Sequence, residues 1–144
     1  MAVATFDPKS VIVTIGGVAM SGYPDGTFLE IVADQQQFTK VTGADGKTTR
    51  VKSNNYGALV TLTLSQSSPS NDVLSGFLAL DRATNAGVVP VLIKDLSGST
   101  IFFAGTGWIR QFPDVTFANE ISNRAWQIDL AEVDIFIGGN GVQN

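Results

Sequence analysis

Apolar and polar residues alternate along much of this chain, which is the pattern of β-strands that bury one face. Residues 57–65, GALVTLTLS, form the clearest run: large apolar side chains share one face and hydroxyl groups occupy the other. Shorter alternating runs at residues 10–15 and 27–33 are predicted to pair as an antiparallel hairpin. We predict about eight short strands in the whole chain.

Residues 68–87 have the spacing of a helix instead. Ser68 and Pro69 are typical of a helix start, and Gly87 suits its end because glycine adopts the left-handed conformation at little cost. Apolar side chains recur at helical spacing on one face, at Val73, Leu74, Phe77 and Leu78. The sequence therefore predicts one helix that lies with this face on the sheet.

Two features of the sequence predict irregularities in the remaining strands. Pro90 confines the strand at residues 88–94 to a sheet edge or a bulge, because proline cannot donate a ladder hydrogen bond. In residues 125–137 the apolar side chains change parity, so a bend near residues 131–132 is required if both sets face one core. The final stretch, residues 138–144, is predicted to be loose unless a neighbour holds it.

Residues 34–56 are more polar than the rest of the chain. The Asp45-Gly46 turn signal divides them into two short runs, so they are predicted to form a protruding two-stranded arm without a core of its own. The arm holds four of the nine basic residues, Lys40, Lys47, Arg50 and Lys52. Two interpretations fit: a solvated flexible hairpin, or an interaction arm that orders on a neighbouring subunit.

Composition narrows the class of protein. The 144 residues suit one domain, 1–144, and the charged fraction of 15% leaves room for a surface covered by partners. The chain has neither cysteine nor histidine, which excludes disulfides, thiolate sites and Ser-His-Asp or Cys-His catalysis. A net charge of −4 argues against a nucleic-acid-binding exterior. No leader pattern or bilayer-spanning run is evident, so we expect synthesis in the cytoplasm.

Only two groups of residues suggest chemistry. Asp129, Glu132 and Asp134 lie close in sequence; a solvated acidic face is the favoured interpretation, and a carboxylate pair for hydrolysis or Ca²⁺ binding is the alternative. Trp108 and Trp126 fall within apolar strand runs, which favours core or interface packing over ligand stacking. A small-ligand-binding β-sandwich with an exposed tryptophan groove therefore stays open as a second class of function.

The predicted fold is mainly β: a β-sandwich or partly closed β-barrel with one flanking α-helix and the protruding hairpin arm. The chain has few charged side chains to prevent its edge strands from pairing with other chains, so it is expected to self-associate.

The order of these elements resembles the tail tube proteins of contractile-tailed bacteriophages over nearly the whole chain. The most telling parts are SPSN at residues 68–71 with the amphipathic helix, the Phe112-Pro113 kink, and the run NRAWQI at residues 123–128. The resemblance implies a structural virion protein of the tail, without enzymatic activity or a cofactor. A related baseplate or secretion-tube protein is the nearest alternative within structural proteins.

The resemblance also implies an assembly. Six subunits would form a ring, rings would stack into a hollow tube, and DNA would pass through its lumen without specific binding. Implied partners are the tail sheath, the tape-measure protein and the baseplate, with no membrane partner. Within this picture we expect the arm to contact another subunit through Lys40, Lys47, Arg50 and Lys52, and the face of Thr61 and Thr63 to lie at an interface or the lumen.

Overall fold

The structure is a computed structural model that describes residue 3 and residues 5–139. It contains a short 3₁₀ helix, Pro8–Ser10, one α-helix and ten strands. The helix α1 spans Ser70–Thr84, and the strands are β1 Val11–Ile15, β2 Val18–Ala19, β3 Leu29–Ala33, β4 Phe38–Thr42, β5 Thr48–Lys52, β6 Ala58–Ser65, β7 Val89–Asp95, β8 Ile101–Gln111, β9 Asn123–Leu130 and β10 Asp134–Phe136. The prediction of a loose tail concerns mainly residues 140–144, which lie outside the described residues.

Eight strands form one antiparallel sheet, in the order β2-β1-β7-β8-β9-β6-β3, with β10 paired to the beginning of β8. The other two, β4 and β5, pair only with each other and form the arm. The mainly β fold with one helix and a protruding hairpin is therefore confirmed. No helix in the described part of the chain is long and apolar enough to cross a bilayer.

The predicted hairpin between residues 10–15 and 27–33 is wrong. Gly16 and Gly17 both have positive φ, 62° and 83°, and turn β1 directly into the short strand β2. The other edge of β1 is occupied by β7, and β3 pairs instead with β6 at the far end of the sheet. The tight glycine turn thus removes β3 from the position beside β1.

The segment between β2 and β3 draws the two ends of the sheet together. Met20 N donates to Val13 O of β1 over 2.8 Å, and two residues later Gly22 O accepts from Ser65 N of β6, also over 2.8 Å. The Tyr23 hydroxyl donates to Met20 O, and partial burial raises the pKa of this phenol. Strands from opposite ends of the sheet therefore share one core, as in a partly closed barrel.

The core lies on one side of this sheet. The strand predicted most clearly, β6, alternates as expected: Val60, Leu62 and Leu64 have no exposed surface, and Thr61 and Thr63 are half-buried on the other face. The fully buried large side chains come from four strands and the helix: Val13, Ile15, Val60, Leu62, Leu64, Leu74, Val91 and Ile128.

The helix packs on this core with the predicted face. Leu74 is fully buried, and Val73, Phe77 and Leu78 pack against the core while partly exposed. Its C-terminal end differs from prediction: Asn85, with φ 58°, takes the left-handed position, whereas Gly87 lies beyond it. Asparagine tolerates this conformation because its short polar side chain can form local hydrogen bonds.

Both predicted strand irregularities are present. The β7–β8 register shifts between Val89 and Val91, so Pro90 lies in a bulge and not at a sheet edge. A bend at residues 131–132 separates β9 from β10. Between the bend and residue 139, only Val133 packs against the core, whereas Ile135 of β10 is 56% exposed.

Candidate interaction surfaces

The arm extends from the body as a regular hairpin. All ten residues of β4 and β5 are exposed. At its base, Ser53 N donates to Gln37 O over 2.8 Å, and a turn at its tip includes a hydrogen bond from Gly43 N to Lys47 O. A hairpin with no buried residue obtains no core stabilisation from its own subunit.

The two faces of the arm differ in charge. Opposed residues of an antiparallel pair share a face, so the register places Lys40 with Arg50 and Phe38 with Lys52 on the same side. We call this side the cationic face. The other side carries no charge and consists of Thr39, Val41, Thr49 and Val51. The sequence identified the basic residues, but their separation from the valines depends on the pairing register.

The basic side chains are not equivalent. The Arg50 guanidinium lies 4.3 Å from the centre of the Phe38 ring, and Lys52 Nζ lies 5.8 Å from the ring of Tyr56 at the arm base. Lys47 is at the tip, where its backbone N–H bonds to Asp45 Oδ1. The predicted inter-subunit residues therefore extend along the whole length of the arm.

The outer face of the sheet, turned away from the core, carries Thr61 and Thr63. Thr61 lies between Glu30 of β3 and Gln127 of β9, and Thr63 lies opposite Ala125. The ladder neighbours of Thr61 and Thr63 on this face therefore include one acidic residue, Glu30, and no basic residue.

Farther along the outer face, an ion pair joins β8 to β9. Arg110 Nε and Nη2 donate to the two carboxylate oxygens of Asp129 over 2.9 and 2.7 Å. This hydrogen bond, together with the attraction of the charges, raises the pKa of Arg110. Asp129 thus has a structural partner, and the residues that the structure describes contain no acidic cluster that could hold a metal ion. The alternative of a carboxylate site at Asp129, Glu132 and Asp134 has no support in this geometry.

The two tryptophans have different environments. Trp126 is 3% exposed, and its Nε1 donates to Asn71 Oδ1 over 2.9 Å. Asn71 in turn donates to the backbone oxygens of Ser65 and Ser68, so SPSN and the Trp126 run meet in one buried network. Trp108 is half-buried on the outer face, opposite Asp129. Neither tryptophan lines the apolar groove described next.

Sequence reasoning missed two apolar surfaces. The first is a groove of about 240 Å³ at the open end of the core, between β3, the arm base and β10. The second is the β8–β9 loop, residues 112–122, where Phe112, Phe117 and Ile121 are 64%, 77% and 70% exposed. The loop residues have no regular period, so only their apolar character could have drawn attention to them.

Comparisons with known proteins agree with one another. A sequence model of the family described as "Bacteriophage PhiTE tail tube protein" matches residues 2–138. A curated structural protein, ORF10 of Pseudomonas phage KPP10, is 32% identical over 145 residues, which cover 95% of this chain and 84% of that protein.

Solved structures show the same fold at low sequence identity. A chain of the sheath–tube complex of an extracellular contractile injection system, PVC, has a TM-score of 0.61 at 12% identity, with 92% of this chain and 91% of that chain covered. A chain of the virion of a native gene transfer agent particle has a TM-score of 0.63 at 9% identity, with 92% of this chain and all of that chain covered.

Proposed function

The chain belongs to the bacteriophage PhiTE tail tube protein family and is a structural protein of the virion tail, and from this premise we propose how it assembles. Six copies join edge to edge into a ring, and rings stack into the hollow inner tube of a contractile tail. Phage DNA passes through the lumen without being bound specifically.

Exposed strand edges support ring formation. In the described part of the chain, β3 is hydrogen-bonded as a strand only to β6, and β10 only to β8. Each therefore presents backbone N–H and C=O groups along one side, and such an edge is a template for pairing with another chain. A closed ring of identical subunits satisfies these groups without leaving a free end.

The arm is the observation that carries the proposal of stacking. Its ten strand residues are exposed, and it is cationic on a chain whose net charge is −4. An exposed hairpin without a core becomes ordered most readily on another surface, and identical subunits offer an acidic one. Single exposed ion pairs contribute about 0–1 kcal/mol, but repetition around a ring multiplies a small preference.

The outer face of the sheet suits a DNA channel. Around Thr61 and Thr63 it is formed by small or neutral polar side chains, and Glu30 adds negative charge. A lumen without a basic cluster does not hold the phosphate backbone, so the polymer can slide. In the tail, the tube would lie inside the sheath, with the tape-measure protein and the baseplate as further partners.

Electron microscopy of an arm-shortened variant tests this function. The variant replaces residues 38–52 by Asn-Gly, joining Gln37 to Ser53, whose backbone hydrogen bond already closes the arm base. We expect the intact protein to form hollow tubes in negative stain. The variant should remain folded and soluble but fail to form long tubes.

The control changes the arm without shortening it. A variant with Thr39→Ser and Thr49→Ser keeps the hairpin length and all four basic residues of the arm, so its tubes should resemble those of the intact protein. If the intact protein stays monomeric at high concentration, the proposed assembly is wrong. If the shortened variant forms tubes of ordinary length and salt resistance, the arm is a solvated surface hairpin.

A further inference from the structure

The groove at the open end of the core has the size and chemistry of a receptor for an aromatic side chain. It lies beside β10, which pairs with β8 and not with β6, and it exposes apolar side chains at the end of the core. Its apolar lining includes Ile31, Ala33, Tyr56, Phe102, Val133 and Ile135. A closed apolar cavity of about 150 Å³ is large enough to bind benzene. The groove, at about 240 Å³, therefore has room for a phenyl ring.

The β8–β9 loop presents such a ring. Phe117 is 77% exposed, the largest exposure among the apolar side chains of this loop. The loop is nevertheless held in place: Ser122 donates to Thr116 O through its hydroxyl and to Gln66 Oε1 through its backbone N–H, over 2.9 and 3.1 Å. An exposed aromatic side chain on an anchored loop is typical of an interaction site.

The groove and Phe117 cannot meet within one subunit. The loop is anchored beside Gln66, just after the last residue of β6, whereas the groove opens beside Gly57, just before the first. Along β8, Phe102 and Gln111 are separated by about 30 Å at the usual rise of a strand. The two surfaces are at opposite ends of the subunit, so only another molecule can bring them together.

Charge identifies a second copy of this chain as that molecule. Residues 112–122 contain Asp114 and Glu120 and no basic residue. Arg124 of β9 lies with its guanidinium carbon 5.8 Å from the Phe117 ring, so the loop is acidic apart from this contact. The arm side of the groove carries the opposite charge, with Lys52 beside the groove-lining Tyr56. Asp34 also lies beside Gly57 at the groove, so the attraction for the acidic loop comes from Lys52 and from the cationic face farther along the arm. Opposite charges flanking an apolar contact fix its orientation.

We propose that Phe117 of one subunit inserts into the Tyr56 groove of the next, while Asp114 and Glu120 face the cationic face of its arm. The contact is head to tail, because the groove and the loop are different surfaces, and contacts of this kind propagate a stack. This inference rests on the proposed tube function and specifies the surface that the arm meets.

Cross-linking between two single-cysteine variants tests the contact, since the chain has no cysteine of its own. Gln37→Cys lies at the groove and Ala118→Cys lies next to Phe117, so the aromatic side chain is retained. The two variants are mixed, assembled and oxidised, and one carries a mass tag. We expect a disulfide-linked pair of one tagged and one untagged chain. A disulfide requires Cα atoms within about 7 Å, so a cross-link reports a direct contact.

The control replaces Ala118→Cys by Ala79→Cys, on the exposed side of the helix, and should give no cross-link above background. Tubes that form without a Gln37→Cys to Ala118→Cys cross-link overturn the insertion of Phe117 but leave the tube function standing. Absence of tubes from the intact protein overturns the function itself.

Side-chain substitution provides a second measurement on assembled protein. Phe117→Ala should raise the critical concentration for tube formation about tenfold, as the loss of a central aromatic contact does. Val115→Ala, on the same loop and 49% exposed, should change it less than about twofold. Lys52→Glu and Glu120→Lys should each weaken assembly, and the double variant should recover it. Equal effects of the two alanine variants, or no recovery, would contradict the proposed contact.

Discussion

The body and the arm of this protein use the same secondary structure with opposite consequences. In β6, every second side chain is buried, and Val60, Leu62 and Leu64 have no exposed surface. In β4 and β5 no side chain is buried, and Val41 is 63% exposed. The body is therefore stabilised within the subunit, whereas the arm has only its backbone ladder and local contacts.

Because of this difference, folding of the subunit and its assembly depend on different residues. Burial of apolar surface contributes about 25 cal/mol per Å², so residues of the body determine whether the subunit folds. The arm contributes little to that free energy, and its charged and apolar faces are free for another molecule. Substitutions in the two regions should consequently affect different measurements.

The largest effect on folding is expected in the core. Leu62→Ala should lower the free energy of unfolding by about 2–5 kcal/mol, because it leaves a cavity among fully buried neighbours. Val41→Ala in the arm should change it by less than about 0.5 kcal/mol. Urea unfolding at a protein concentration too low for assembly measures both. Comparable losses would show that the arm packs on its own subunit.

The next effect concerns the helix. Phe77 is partly exposed but packs against the core, so Phe77→Ala should cost about 2–4 kcal/mol, near the lower end of the range for buried aromatic residues. Leu80→Ala is the control, because Leu80 is 45% exposed and lies outside the core. An unchanged melting temperature for Phe77→Ala in the monomer would assign this helix face to a neighbouring subunit.

A smaller effect is expected in the turn between β1 and β2, where two alanine variants distinguish backbone strain from side-chain packing. Gly16 and Gly17 both have positive φ, so alanine at either position costs roughly 1–2 kcal/mol. A Cβ atom at Gly16 would also overlap the Phe77 ring, whereas one at Gly17 would meet nothing within 4 Å. Gly16→Ala should therefore be the more destabilising by about 1 kcal/mol. When the same two variants are made in the Phe77→Ala protein, thermal unfolding should show equal destabilisation by both. A difference that persists there would show that the Phe77 ring does not cause it.

The smallest effect on stability is expected on the outer face. Thr61→Lys with Thr63→Lys should change the free energy of unfolding by less than about 0.5 kcal/mol, since Glu30 faces Thr61 across the ladder. Tube formation should nevertheless be impaired. Ser75→Lys with Ala79→Lys adds the same charge on the exposed side of the helix and controls for charge alone. Normal tubes from the Thr61 and Thr63 variant would exclude this face from the interface and the lumen.

Local elements were predictable because their signals are local. The alternation in β6, the helical face around Leu74 and the turn in the arm each depend on residues a few positions apart. The SPSN and NRAWQI motifs are far apart in the sequence but in contact in the structure. Asn71, just after the helix start, accepts a buried hydrogen bond from Trp126 in β9. The bulge at Pro90 was predictable for the same reason. Proline has no backbone N–H, so it interrupts the hydrogen-bond ladder of any strand that contains it.

The sequence by itself determined which residues prefer strand, helix or turn, and that one strand face is apolar. Only the tertiary structure decided that β1 pairs with β7 and β3 with β6, that the valines and the cations of the arm lie on opposite faces, and that the groove and Phe117 are at opposite ends of the subunit. The physical reason is that alternation specifies the buried side of a strand but not its neighbour. The choice of neighbour depends on the free energy of the whole sheet, which includes turns and pairings far apart in the chain.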